Sequence, residues 1–154
     1  MPIPQGANDR DDGCTAAAMV IREQDLYLGH VGDSRAVLFR NGECVQLSND
    51  HKPNIPEERE RIEKMGGVVI WAGTWRVGGV LAVSRAFGDR LLKDFVVARP
   101  DLRHEKLGAG DVAVVLVRGG EGAGDAWGQG RECRAAETGR GLARVRRRRT
   151  ASGT

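Results

Sequence analysis

The sequence has few aromatic residues and no long apolar run. Three Trp, one Tyr and three Phe occur among 154 residues. A helix that spans a membrane needs about 20 consecutive apolar residues, and no segment of this sequence approaches that length. The first residues, Met1 to Gly6, lack the charged and then apolar pattern of a signal peptide. These features predict an intracellular protein of the cytoplasm or nucleus.

Cysteine is also scarce. Cys14, Cys44 and Cys133 are odd in number and widely spaced, and no Cys-x-x-Cys pair occurs. Zinc sites built on cysteine usually need such pairs, so we expect no zinc site of this type. The same spacing argues against a structural disulfide and agrees with a reducing compartment.

The charge is unevenly distributed along the chain. The net charge of +3 arises from residues 118–154, which hold nine Arg, nine Gly and four acidic residues. This composition predicts a disordered tail, and we also expect disorder in residues 1–11. The run Arg144–Arg149 could bind polyanions weakly and with strong salt dependence, although we do not expect nucleic acid to be the main partner. A tail translated from the wrong frame or an unspliced intron would have the same composition, and sequencing the transcript would test this.

The apolar pattern predicts a strand-rich fold. Asn41-Gly42 separates two strand-like runs and is a strong hairpin signal, because both turn residues must adopt positive φ. Residues 15–22 have the composition of a buried strand, and residues 84–89 of a short turn or helix. Strands are predicted at residues 15–22, 26–31, 35–40, 43–48, 68–71, 77–83, 96–98, 102–105 and 112–117. Many strands and few helices indicate antiparallel α+β layers.

One helix is predicted from residue 56. Pro56 suits the first helical position, and Gly66-Gly67 supplies a stop. Ile62 and Met65 form a narrow apolar edge. Ion pairs at helical spacing are predicted for Glu57 with Arg61 and for Glu60 with Lys64.

Three blocks of sequence carry a family resemblance. Residues 75–89 read Trp-Arg-Val-Gly-Gly-Val-Leu-Ala-Val-Ser-Arg-Ala-Phe-Gly-Asp, and residues 31–37 and 50–53 hold Gly-Asp-Ser-Arg and Asp-His-Lys-Pro. Their order and spacing resemble the metal-dependent type 2C protein serine/threonine phosphatases, most of all the plant members. The resemblance covers about residues 12–117. It implies a four-layer α-β-β-α sandwich, phosphoprotein substrates and hydrolysis of phosphoserine and phosphothreonine with Mg²⁺ or Mn²⁺.

The resemblance also implies a two-metal site whose ligands are mainly carboxylates. Two-metal hydrolases activate a water between ions about 4 Å apart, and hard cations of this kind take carboxylate oxygens. After the strand at 112–117, Gly119 and Gly122 stand where the family has Asp and Trp, and no Asp-Asn dipeptide occurs. Asp12-Gly13 fits a strand entry better than the family's Asp-Gly-His block. Asp89 alone has a counterpart among the family's metal positions, at an accessory third metal, and a turn role is the alternative.

The other motif residues have structural interpretations. Asp33 is expected to cap a turn, and His51 to lie in a structural loop rather than to form an acid/base pair with Asp50. His30 and His104 have no partner at ligand spacing in the sequence. Trp71 and Trp75 suit either an interaction surface or a core edge. The motif residues expected to be structural are Gly32, Asp33, Ser34, Arg35, Asp50, His51, Ser84, Arg85 and Gly88.

These observations predict a partial phosphatase domain over residues 12–117 with little or no activity. Glu121 and Asp125 are the acidic residues nearest to the expected ligand block, but they lie in a glycine-rich segment. Catalytic ligands must be held to within about 0.5 Å, so we do not expect these two to restore a metal centre. The alternatives are an inactive interaction module and a polyanion-binding tail.

Overall fold

The computed structural model describes residues 11–118, which form an α+β arrangement of antiparallel strands with a single α-helix. This confirms the predicted fold class. The elements are β1 (Gly13–Cys14), β2 (Ala16–Arg22), β3 (Asp25–Val31), β4 (Arg35–Arg40), β5 (Glu43–Gln46), α1 (Pro56–Lys64), β6 (Val69–Trp71), β7 (Trp75–Val77), β8 (Phe87–Gly88), a 3-10 turn (Arg90–Leu92), β9 (Asp101–Lys106) and β10 (Asp111–Val117). Within residues 11–118, no helix has the length and apolar character needed to cross a membrane.

Two three-stranded antiparallel sheets form the main body. Their strand orders are β2-β3-β9 and β10-β4-β5. In the middle of each sheet, Leu28 pairs with Met19 and Arg103, and Leu38 pairs with Val45 and Val114. The two sheets share one apolar core, made of Leu26, Leu28, Ala36, Leu38 and Leu47. Alternation along β3 and β4 therefore places one face of each central strand in this core.

The predicted hairpin is confirmed, and one burial prediction is wrong. Asn41 and Gly42 have φ of 52° and 83° and join β4 to β5, with Arg40 opposite Glu43. By contrast, β2 is mostly exposed, with Val20 65% accessible. The strand lies at the edge of its sheet, so its apolar composition did not indicate burial.

Helix α1 begins and ends where the sequence predicts. Pro56 occupies the first turn, and after Lys64 the chain turns at Gly66, whose φ is +85°. The Glu60–Lys64 pair is confirmed. The Glu57–Arg61 pair is wrong, because Arg61 binds Glu58 instead. The predicted apolar edge is half correct, since Ile62 is fully buried but Met65 is 60% exposed.

A second apolar cluster lies under α1. It consists of Ile62, Val77, Val83, Ala86 and Val96. The strand predicted at 77–83 is wrong: β7 ends at Val77 because Gly78 and Gly79 adopt positive φ, and the chain returns for one bridge at Leu81. The turn or helix predicted at 84–89 contains β8, which pairs with β1. The strand predicted at 96–98 is reduced to a single bridge between Val97 and Arg85.

Candidate functional site

The three motif blocks meet around the backbone of His51. The His51 N–H donates to the Gly32 carbonyl at 3.0 Å, and the Ser84 N–H donates to the His51 carbonyl at 2.9 Å. In return, the Gly32 N–H donates to Nδ1 of the His51 ring at 3.0 Å. One loop residue thus joins the turn after β3 to the segment before β8.

Two motif glycines are required by the backbone. Gly32 has φ of +86°, and a side chain there would overlap Thr15. Gly88 has φ of +77°, and a side chain there would overlap the backbone oxygen of Asp12. Positive φ is costly for residues with a Cβ. These positions shape the turns that bring the motif blocks together.

A buried carboxylate on α1 organises the arginines of this region. Glu58 is 4% exposed and accepts hydrogen bonds from Arg85 at 2.5 Å and 3.0 Å and from Arg61 at 2.9 Å. Arg85 also donates to Asp101 at 2.8 Å. Burial by itself would raise the pKa of Glu58, but the bonds from these arginines outweigh it and lower the pKa to about 2.

Sequence reasoning missed Glu58, although a signal was present. It lies one helical turn before the buried Ile62, on the same face of α1. A carboxylate on the apolar face of a helix needs a cationic partner in the structure. Asp101 carried no local signal, because its contacts come from residues distant in the chain.

The aspartates of the two shorter motifs are engaged in ion pairs. Asp50 receives two hydrogen bonds from Arg35, at 2.6 Å each. Asp33 accepts a hydrogen bond from Lys52 Nζ at 2.5 Å, rather than from the backbone amides that the sequence predicted. Both pairs tie the Gly32 turn to the Asp50–Pro53 loop. Neither aspartate therefore offers both oxygens to an ion.

Two buried histidines stack beside Asp101. The rings of His30 and His51 are 4.7 Å apart and inclined by 3°, and their exposures are 5% and 3%. His30 has no partner at ligand spacing in the sequence, and the structure buries it on β3 against His51, which is distant in the chain. The His51 Nε2 lies 3.2 Å from Asp101 Oδ2 without the alignment of a hydrogen bond. Burial lowers the pKa of His51 despite this carboxylate.

These three side chains are the candidate metal group among residues 11–118, with donor atoms within 4.8 Å of one another. Their geometry does not fit an ion. An imidazole nitrogen binds a metal in the plane of its ring, and two parallel, stacked rings share no such point. His30 Nε2 is also bonded to the Asn49 carbonyl at 2.7 Å, and His51 Nδ1 to Gly32. Mg²⁺ and Mn²⁺ moreover prefer carboxylates to imidazole.

Asp89 lies in a turn, and one oxygen of its carboxylate is buried without a hydrogen-bond partner among the described residues. Its φ is +48°, its N–H donates to Asp12 O at 3.2 Å, and its carbonyl accepts from Leu92 N–H at 3.0 Å. Its side chain is buried, and Oδ2 has no hydrogen-bond partner among the described residues. Burial, and then the charge of Asp11, raise the pKa of Asp89. A role as an accessory metal ligand stays a prediction, and Glu121 and Asp125 lie outside the described residues.

The tryptophans lie side by side on the β6-β7 hairpin. Trp71 is 61% exposed and packs edge-on against Trp75, with ring centroids 5.5 Å apart. The Arg59 guanidinium lies 5.6 Å from the centre of the Trp75 ring. Ile70 and Val80 are also exposed, but Ile70 alternates with Trp71 along β6 and lies on the opposite face of the hairpin. His104 lies on β9, in the β2-β3-β9 sheet. It is exposed, and its Nε2 lies 2.8 Å from Asp25 Oδ1.

Comparison with known proteins agrees with these motifs. The family model described as protein phosphatase 2C matches residues 3–120. A probable mitochondrial protein phosphatase 2C, member 13, of Oryza sativa subsp. japonica is 58% identical over 111 residues, which cover 72% of this chain and 31% of that protein. Probable protein phosphatase 2C 69 of Arabidopsis thaliana is 56% identical over 103 residues, covering 67% and 29%.

Solved structures show the same fold. A serine-threonine phosphatase 2C from Toxoplasma gondii superposes with a TM-score of 0.64 at 27% identity, over 68% of this chain and 40% of that chain. A sex-determining protein of C. elegans gives a TM-score of 0.65 at 31% identity, over 68% and 26%. In both comparisons the chain covers only part of the longer proteins, and it spans about a third of the length of the two plant relatives.

Proposed function

Because this chain belongs to the protein phosphatase 2C family, we propose that it supplies part of a metal-dependent phosphoserine/phosphothreonine phosphatase fold. We further propose that the chain by itself hydrolyses little or no phosphoprotein. Its motif residues build the scaffold in which the Gly32 turn, the His51 loop and the Ser84 segment meet. The two-metal centre of the family needs several carboxylates that converge on one point.

The pairing of the described carboxylates carries this proposal. Most of the buried or half-buried acidic groups among residues 11–118 are bound to a cation: Asp25 to Lys106, Asp33 to Lys52, Asp50 to Arg35, Glu58 to Arg85, Glu105 to Arg40 and Asp111 to Arg40. Asp89 is the buried carboxylate in this region with an unsatisfied oxygen. One such group cannot bridge two ions with the ligand number that Mg²⁺ or Mn²⁺ requires.

A phosphopeptide assay tests the proposal. The full chain is incubated with a phosphothreonine peptide and Mn²⁺, and released phosphate is compared with that in a chelator control. A longer plant relative serves as the positive control under the same conditions. We expect turnover indistinguishable from the chelator control. Turnover well above that control would overturn the proposed inactivity and leave the family assignment intact.

The hairpin tryptophans support a second candidate, an interaction module. Trp71 is exposed and packs mainly on Trp75, so Trp71→Ala should lower the free energy of unfolding by no more than about 1.5 kcal/mol. If the module binds a phosphatase or its regulator, retention in a pulldown should fall by about tenfold or more, as for a central aromatic anchor. Leu102→Ala, on a different exposed surface, is the matched control. Equal retention by both variants would remove this candidate.

The basic tail supports a third candidate that is simple to test. Arg144–Arg149 lie outside the described residues, so only the sequence bears on their role. If they bind polyanions, removal of residues 140–154 should abolish retention on heparin at low salt. Unchanged retention would exclude the tail as the binding element.

A further inference from the structure

The His30–His51 pair is buried, titratable and not used by the proposed phosphatase chemistry. His51 accepts the Gly32 N–H through Nδ1, so in the neutral ring the proton is on Nε2, which faces Asp101. His30 Nε2 must donate to the Asn49 carbonyl, which can only accept. Each ring therefore makes its hydrogen bond to the backbone of a loop only while the ring carries its proton on Nε2 and, for His51, none on Nδ1.

Protonation of His51 would break one of these contacts directly. A proton on Nδ1 turns the acceptor of the Gly32 N–H into a donor, so two donors would face each other. The backbone of the same residue also makes two hydrogen bonds, from its N–H to the Gly32 carbonyl and from the Ser84 N–H to its carbonyl. Loss of the ring contact therefore weakens the junction of the three motif blocks rather than an isolated loop.

The charges around the ring decide how far it resists protonation. Asp101 on β9 favours the charged ring, whereas Arg85 and the stacked His30 disfavour it. Within the loop, Asp50 is bound to Arg35 and Lys52 to Asp33. With burial added, the balance lowers the pKa of His51, so its neutral form is favoured by folding.

From this geometry we propose that His51 is an acid-sensitive latch, which holds the Gly32 turn near neutral pH and releases it on acidification. The proposal does not depend on phosphatase activity. A histidine whose pKa is lower in the folded state stabilises the fold fully above its unfolded value, near 6.5. That stabilisation is lost progressively as the pH falls below this value.

Two other groups could alter the pH dependence of stability and are controlled separately. His104 is the third histidine of the chain, but it is exposed and contacts Asp25 rather than the Gly32 turn, so His104→Gln should leave the acid response of the Gly32 amide unchanged. The raised pKa of Asp89 has the opposite sign, since protonation of that carboxyl favours the fold as the pH falls. Asp89→Asn should therefore make the response to acid larger, not smaller.

Amide exchange measured by NMR on the full chain tests the latch locally. Between about pH 7.5 and about pH 5, the protection factor of the Gly32 amide should fall by about tenfold, following the protonation of the His51 ring. The Asn41 amide, which donates to the Gly110 carbonyl, is the internal control and should keep its protection. Constant protection of Gly32 over this pH range would overturn the proposal.

A matched variant tests the role of the ring. His51→Asn places a non-titrating carbonyl oxygen close to the position of Nδ1, so it can still accept the Gly32 N–H. We expect its urea midpoint to vary less with pH than that of the parent chain. An unchanged pH dependence in His51→Asn would also overturn the proposal.

Discussion

Replacing Glu58 with alanine is expected to lower the free energy of unfolding by about 3–5 kcal/mol. The carboxylate is 4% exposed and neutralises Arg61 and Arg85 together. Its removal leaves both guanidinium groups partly buried without that counter-charge. Among residues 11–118, Asp101, whose side chain is half exposed, would be the remaining carboxylate partner of Arg85. Urea denaturation followed by circular dichroism measures the loss.

Glu60→Ala is the matched control on the same helix. Glu60 pairs with Lys64 at the surface, where solvent screens the attraction, so Glu60→Ala should change the free energy of unfolding far less than Glu58→Ala. Because the pKa of Glu58 is lowered to about 2, the extra stability it provides is present above its ordinary pKa of 4.5 and is lost as the pH falls towards 2. If Glu58→Ala costs no more than Glu60→Ala, the buried network does not organise this region.

Replacing Gly88 with alanine is expected to cost more than about 2 kcal/mol. Two effects add at this position: φ is +77°, and the new methyl group would overlap the Asp12 carbonyl oxygen. That oxygen also accepts the Asp89 N–H, so the strand pair β1-β8 cannot move aside without losing a hydrogen bond. A thermal or urea melt of the variant measures the cost.

Gly66→Ala separates the two effects. Gly66 has a similar φ of +85°, but within the described part of the chain no atom other than those of its two sequence neighbours lies within 4 Å of the added methyl position. It should therefore lose only the conformational part, about 1–2 kcal/mol. Equal losses in the two variants would contradict the close approach of β1 and β8.

Local chemistry explains which parts of the fold could be predicted from the sequence. The Asn41-Gly42 hairpin and the limits of α1 follow from residues that fix the backbone where they stand. The strand predicted at 77–83 failed because Gly78-Gly79 was treated as part of a run, although both glycines turn the chain. The β1-β8 pair could not be predicted, because Gly13 and Gly88 are distant in the sequence and each strand has two residues.

The site was predicted through its motifs rather than through its contacts. The blocks that hold Asp33, Asp50 and Arg85 were found by resemblance, and their meeting point at His51 required the tertiary structure. Arg61 illustrates the limit of spacing rules. Glu57 and Glu58 both lie about one helical turn before it, and Arg61 binds Glu58. Arg61 also donates to the Phe95 and Ser84 carbonyls, and these tertiary contacts cannot be read from helical spacing.

Calorimetric titration of the full chain with Mn²⁺ tests the central claim, that the described carboxylates cannot hold a pair of ions. We expect no tight binding, and at most one weak site that Asp89→Asn removes. Uptake of two Mn²⁺ ions with micromolar or tighter affinity, coupled at one site, would contradict the account.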